Sequence, residues 1–262
     1  MHSKTIVLRT AGTNCDYETV NAFKVCGAEK VDLVHINQLL KKEVNIMDYQ
    51  ILALPGGFSY GDDVAGGKLL ANEIKYKMID AIGKFVAAKR LVIGICNGFQ
   101  VLVRTGLLPG FEGIDDLEFT TLAFNDSGKF EARWLYLKTE ESKCVFARGL
   151  KPVIYLPIAH GEGKFLALNK KVLEQIKKNG QVVFRYCDKK GKVIGYPENP
   201  NGSVEAIAGI CNPDGNILGL MPHPERYMTK YNHPRWTRET LSEEGDGVQI
   251  FRNAVGFAKK YL

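Results

Sequence analysis

The sequence predicts an α/β protein: an open, mostly parallel sheet flanked by helices, with an added region of antiparallel strands. Three observations predict it. Short apolar runs rich in β-branched residues alternate with helical patterns between Thr5 and Val103. Those runs end at glycine- or asparagine-bearing turns. Beyond Lys129, strand patterns follow one another with only turns between them. Alternating strand and helix needs right-handed crossovers and so gives parallel neighbours. Consecutive strands joined by turns give antiparallel ones.

Thr5–Thr10 is the first predicted strand. The turn Ala11-Gly12-Thr13-Asn14-Cys15-Asp16 offers Asn14 or Asp16 as N-cap for a helix over Tyr17–Val25, closed by Gly27. Strands follow at Val31–Ile36 and Ile51–Leu54, the latter ending in Pro55-Gly56-Gly57. In Lys68–Ala88, Leu70, Ile74, Met78, Ile82 and Phe85 share one face, which predicts a helix. Leu91–Ile95 is apolar throughout, as a strand buried on both faces would be. Lys129–Thr139, Val153–Ile158 and Gln181–Cys187 read as strands. Glu205–Cys211 and Ile217–Met221 form a hairpin across Asn212-Pro213-Asp214-Gly215. A polar loop over Arg226–Asp246 and a helix over Val248–Lys259 complete the chain. With no linker and no repeat, residues 1–262 are expected to form one domain.

Composition narrows the function. The net charge of +6 comes from 35 basic and 29 acidic side chains. The lysines are scattered in pairs such as Lys41-Lys42 and Lys189-Lys190, with no basic stripe or aromatic interleave of a nucleic-acid binder. The six cysteines, at 15, 26, 96, 144, 187 and 211, show no Cys-x-x-Cys pair and no histidine at ligand spacing, so no metal site is expected. No stretch approaches the roughly 20 apolar residues of a membrane span. The first strand begins almost at once, without a signal-peptide pattern, so a cytoplasmic location with reduced thiols is expected.

Chemistry concentrates at Gly94-Ile95-Cys96-Asn97-Gly98. The spacing is that of a nucleophile elbow with Cys in place of Ser. A sharp strand-to-helix turn strains the nucleophile's backbone and crowds its neighbours, so both flanks need glycine. It also sets Cys96 at a helix N-terminus, where the dipole favours thiolate. A nucleophilic Cys wants a base, and the base an orienting acid. Among five histidines, His223 in Pro222-His223-Pro224-Glu225 fits best. A residue before proline is pushed to extended conformations, and residues two apart in an extended segment share a side. Glu225 is therefore expected beside His223. Backbone N–H groups in Pro55-Gly56-Gly57-Phe58, with that of Asn97, are available for an oxyanion.

These motifs resemble the triad (class I) glutamine amidotransferases, with their flavodoxin-like fold. Pro55-Gly56-Gly57-Phe58-Ser59-Tyr60-Gly61-Asp62-Asp63, Phe130-Glu131-Ala132-Arg133-Trp134, Ala159-His160-Gly161-Glu162-Gly163, Asn199-Pro200-Asn201-Gly202-Ser203 and Met221-Pro222-His223-Pro224-Glu225-Arg226 narrow it. Together they are similar to the glutaminase subunits of phosphoribosylformylglycinamidine synthase. Ile250-Phe251-Arg252-Asn253-Ala254 resembles the chain end of the fused, large form of that family. The resemblance implies Cys96 as nucleophile, His223 as general acid/base and Glu225 as its orienting acid. It implies Gly57, Phe58, Asn97, Gln100 and His160 around the oxyanion and the glutamine. His160 and Glu162 would line the substrate or support the site from behind, the alternative being a purely structural turn, and Arg133 would be structural rather than partner-facing. Cys15 also matches the family, with no catalytic use implied.

The implied reaction is hydrolysis of L-glutamine to glutamate and ammonia. No Gly-x-x-x-x-Gly-Lys-Ser/Thr loop is present, so ATP and Mg would belong to a partner and this chain would hold no cofactor. The resemblance names that partner as the synthetase subunit making formylglycinamidine ribonucleotide in purine biosynthesis, with a small bridging subunit. The rival readings are the glutaminase of another ammonia-channelling synthetase, a Cys hydrolase of esters or thioesters, and a catalytically silent scaffold.

Overall fold

A computed structural model describes residues 3–112 and 118–262, so His2 lies outside the described residues. Strand β1 (Lys4–Arg9) leads through helix α1 (Asp16–Val25) to β2 (Lys30–His35), α2 (Ile36–Leu40) and β3 (Ile51–Leu54). Helices α3 (Lys68–Lys77) and α4 (Ile79–Ala87) precede β4 (Leu91–Ile95) and α5 (Asn97–Arg104). Strands β5 (Thr120–Phe124), β6 (Glu131–Thr139), β7 (Val153–His160) and β8 (Glu162–Ala167) follow, then α6 (Lys170–Lys178). Strands β9 (Val182–Cys187), β10 (Ile207–Cys211) and β11 (Ile217–Leu220) lead to α7 (Val248–Tyr261).

Nine strands form one sheet in the order β2-β1-β3-β4-β11-β10-β9-β6-β7. The half from β2 to β11 is parallel, and the pairs from β11 to β7 are antiparallel. Strands β5 and β8 pair separately. Every residue of β3 and β4 is buried, as strands covered on both faces require. Phe23 of α1 meets Phe251 of α7 edge-on at 5.0 Å, and Phe99 of α5 stacks on Phe165 of β8. Chain order reverses between β1 and β3, which leaves a crevice at their carboxyl ends. There Thr13 bridges to Gly57.

Some expectations change. The helix expected over Lys68–Ala88 is two, broken at Met78 (φ −129°, ψ 9°). Its apolar stripe crosses the break unaltered, because Leu70, Ile74, Met78, Ile82 and Phe85 are all buried. Periodicity therefore carries no sign of the bend. Helix α1 has Cys15, not Asn14 or Asp16, at its N-cap, with no side-chain cap. Asp16 instead pairs with Arg9 at 3.5 Å. The strand expected from Glu205 starts at Ile207. Glu205 is held in a 3-10 turn at φ 47°, where Arg185 Nη1 donates to its carbonyl at 2.5 Å. Strands β5 and β8 and helices α2 and α6 were not anticipated. Asn169 caps α6 by accepting from Val172 N–H at 3.0 Å.

Candidate active site

The elbow forms as the glycines demand. Cys96 stands at φ 51° and ψ −106°, between β4 and α5. A side chain at such angles costs roughly 1–3 kcal/mol and persists only where its surroundings hold it. Here Cys96 N–H donates to Leu220 O at 2.8 Å, and Cys96 O accepts from Phe99 and Gln100 N–H. A Cβ on Gly94 would fall 2.5 Å from Gly98 O, and one on Gly98 1.9 Å from Leu54 O. The Leu54 carbonyl belongs to the neighbouring strand and has no room to retreat. Gly98→Ala is therefore expected to cost about 3 kcal/mol, read as a lower denaturant midpoint; an unchanged midpoint would show that the turn tolerates bulk.

His223 follows β11, which pairs in parallel with β4, so it stands at the same carboxyl-end side of the sheet as Cys96. Its Nδ1 lies 2.6 Å from Glu225 Oε1, with both side chains buried. The sequence expected this contact from an extended segment. The structure makes it through a bend instead: His223 has ψ 87°, and Pro224–Arg226 is a 3-10 turn. Burial alone would lower the proton affinity of His223. The Glu225 carboxylate, then the Cys96 sulfur, outweigh it and hold the imidazole pKa well above 6.5. Among the described residues, His223 Nε2 has no hydrogen-bond partner. The Cys96 thiol is turned to Ala159 O at 3.6 Å.

Gly57 has φ 144°, and a Cβ there would strike Asn14 N and Gly12 O at 2.7 Å. Among the described residues, neither Gly57 N–H nor Asn97 N–H donates to a protein atom, so both remain for an oxyanion. Phe58 N–H does not: it donates to Gly12 O at 2.9 Å. Phe58 contributes its ring instead, stacked on Phe130 at 6.3 Å. The Asn97 side chain ties the loop after β3 to α5. It accepts from Ser59 N–H at 3.1 Å and donates to Asp62 Oδ1 and Gln100 Oε1. Gln100 Nε2 donates to Glu162 O at 2.7 Å, and Glu162 Oε2 accepts from Gly66 N–H.

Cys96, His223, Gly57 and Phe58 line one cavity of about 250 Å³, together with Asn14, Cys15, Phe130, Ala159 and Arg226. Larger hollows of about 410 Å³ beside Asp246 and 420 Å³ beside Asn45 hold no cysteine or histidine. Asn97, Gln100 and His160, all expected around the glutamine, lie outside the lining. Successive strand residues face opposite sides, so Ala159 takes the cavity and His160 the interior. His160 Nδ1 is 3.1 Å from Asn125 Oδ1, an oxygen that also accepts from Gly163 N–H. That contact makes Nδ1 the protonated nitrogen. Burial, then the charge of His223, pushes the His160 pKa down to about 3. Arg133 packs over Tyr196 and pairs with Glu131 at 3.3 Å.

The sequence did not single out Asn14, Phe130, Ala159 or Arg226 as site residues. A Cβ on Gly56 would lie 2.7 Å from His223 Cε1, 3.2 Å from Cys15 Sγ and 3.4 Å from Cys96 Cβ. The doubled glycine in Pro55-Gly56-Gly57 was a signal for such a close approach. Cys15 Sγ is 4.0 Å from His223 Nδ1 and accepts from Arg226 Nη2 at 3.0 Å. Cys15, His223 and Glu225 offer ligand atoms within 4.8 Å of one another. The Nδ1–Oε1 contact and the adjoining guanidinium oppose a cation there. Each of the six cysteines is a free thiol, and no described helix is long and apolar enough to cross a membrane.

Comparison with known proteins identifies the family. Residues 2–258 match the family described as CobB/CobQ-like glutamine amidotransferase domain. The chain is 50% identical over 98% of both lengths to phosphoribosylformylglycinamidine synthase subunit PurQ of Dehalococcoides mccartyi. It is 45% identical over 93% of both lengths to the subunit of that name from Treponema denticola. A structure of PurLQS from Thermotoga maritima superposes with a TM-score of 0.75 at 30% identity, over 98% of this chain and 99% of that one. These matches over nearly the whole length show that this chain belongs to the glutamine amidotransferases, in the family of the phosphoribosylformylglycinamidine synthase subunit PurQ.

Proposed function

We propose that this chain hydrolyses the side-chain amide of L-glutamine at Cys96 and delivers the ammonia to a synthetase that makes formylglycinamidine ribonucleotide. One observation carries the chemistry: Cys96 and His223 face a single cavity, and Glu225 lies 2.6 Å from the far nitrogen of that imidazole. The Cys96 proton passes to His223 Nε2 as sulfur attacks the amide carbon. Gly57 and Asn97 N–H receive the oxyanion, each worth roughly 10²–10³ in rate. His223 returns the proton to the departing nitrogen, which leaves as ammonia. A water then gives a proton to His223 and its hydroxide to the thioester, releasing glutamate and the thiol. Gln100 and His160 support this arrangement from outside the cavity, and the chain itself uses no cofactor.

Ammonia production needs a consumer, and the relatives' shared name supplies one. The PurQ relatives are subunits of phosphoribosylformylglycinamidine synthase, and the Thermotoga maritima structure is of PurLQS. We take the partners to be an ATP- and Mg-using synthetase subunit and a small bridging subunit, all in the cytoplasm. Mixed with that synthetase, ATP and glutamine, the chain is expected to elute as a larger species and to release glutamate faster. Separate species with unchanged glutamate release would overturn the partnership.

A further inference from the structure

Arg226 stands on the wall of the cavity that holds Cys96 and His223. It is the last residue of the 3-10 turn that carries Glu225, so the turn that orients the imidazole also plants a guanidinium beside the substrate space. Its protein partners use little of its capacity. Nη2 donates to Cys15 Sγ at 3.0 Å, and a thiol is a weak acceptor. Burial raises the Cys15 pKa, and His223 only partly opposes it, so that sulfur stays a neutral thiol. Nε is 3.6 Å from Glu18 Oε1, an ion pair without a hydrogen bond. A guanidinium offers five N–H groups in a fork shaped for a carboxylate. Among the described residues, no carboxylate lines this cavity to take it.

The reading of the site as a glutaminase supplies what is missing. Glutamine carries an α-carboxylate at the end of a short methylene chain from the amide that Cys96 attacks. With the amide oxygen at Gly57 and Asn97, the rest of the substrate extends along the cavity wall. We propose that Arg226 receives the α-carboxylate of glutamine, and so makes the site select a free α-amino acid over an amide that lacks that group. Glu18 and Cys15 hold the guanidinium in place between turnovers. No acidic side chain on the wall matches the α-ammonium, which therefore contributes less than the carboxylate.

Calorimetry on the Cys96→Ala chain, combined with the synthetase, separates this role from a structural one. The probes are L-glutamine and 4-aminobutanamide, the same amide without the α-carboxylate. With Arg226 present, glutamine is expected to bind about 10- to 100-fold more tightly. Arg226→Gln is expected to erase that preference while 4-aminobutanamide binding stays within about twofold. Arg226→Lys, which keeps the charge but not the fork, should retain part of the preference, and it carries the test where the Gln variant does not fold. Equal weakening of both amides, or no change in the preference, overturns the assignment. Turnover by the complex with unaltered Cys96 tests the parent reading separately. Equal use of both amides removes the carboxylate subsite alone, and absence of glutamine turnover removes the glutaminase reading with it.

Discussion

Cys96→Ala is expected to lower glutamate release from glutamine by on the order of 10⁴-fold or more, while synthesis fed by added ammonia continues. The reasoning rests on what the thiol does and does not do. Its hydrogen bond to Ala159 O, at 3.6 Å, is too long to anchor the elbow. The turn is held by backbone bonds to Leu220, Phe99 and Gln100, all of which survive the substitution. Alanine adopts the same strained angles at similar cost, so the fold remains and the nucleophile is gone. The proposed partner would perform the amidation, so added ammonia bypasses the lesion. Parallel assays of glutamate release and of ammonia-fed product settle it: residual glutamine hydrolysis near the original rate would remove Cys96 from the mechanism.

Glu225→Gln is expected to lower kcat by roughly 10²–10⁴, with a deficit that narrows as pH falls. Both partners are buried, and the contact at 2.6 Å is the chief influence raising His223 against the opposing effect of burial. The sign follows. With the carboxylate, the imidazole keeps a proton at neutral pH once it has taken one from the thiol. Without it, burial dominates, the pKa drops, and the imidazolium needed to expel ammonia is scarce at pH 7. Lowering the pH restores some of it. The amide of Gln can also donate to Nδ1 and favour the wrong tautomer, which adds to the loss. A pH–rate profile that superposes on that of the unsubstituted chain would show that Glu225 does not set the imidazole.

The elements that the sequence showed well are those whose local pattern matches their surroundings. Leu91–Ile95 is apolar throughout because β4 is covered on both faces, and the glycines at 94 and 98 are needed because neighbouring carbonyls leave no space. Elements whose cause lies elsewhere in the chain were illegible. Strand β8 exists because β5, which precedes it by two intervening strands, pairs with it in the register Thr120↔Ala167. The bend at Met78 leaves the apolar stripe intact, so no periodicity marks it. Glu205 has a strand-like context, yet Arg185 draws it into a turn.

The site divides in the same way. By itself, the sequence determined the groups proposed to react: a thiol in a glycine-flanked elbow, an imidazole with an acid two residues on, and a glycine turn after a strand. Those are short-range requirements, written in adjacent residues. Tertiary structure alone decided which groups share the cavity. Strand alternation turned Ala159 inward to the substrate space and His160 away from it, and Gly12 O took the Phe58 N–H, leaving Gly57 and Asn97 as donors. It also brought Cys15, from the first crossover, to within 4.0 Å of His223 near the other end of the chain. No local pattern encodes a contact across 208 positions, because what sets it is the order in which the strands assemble.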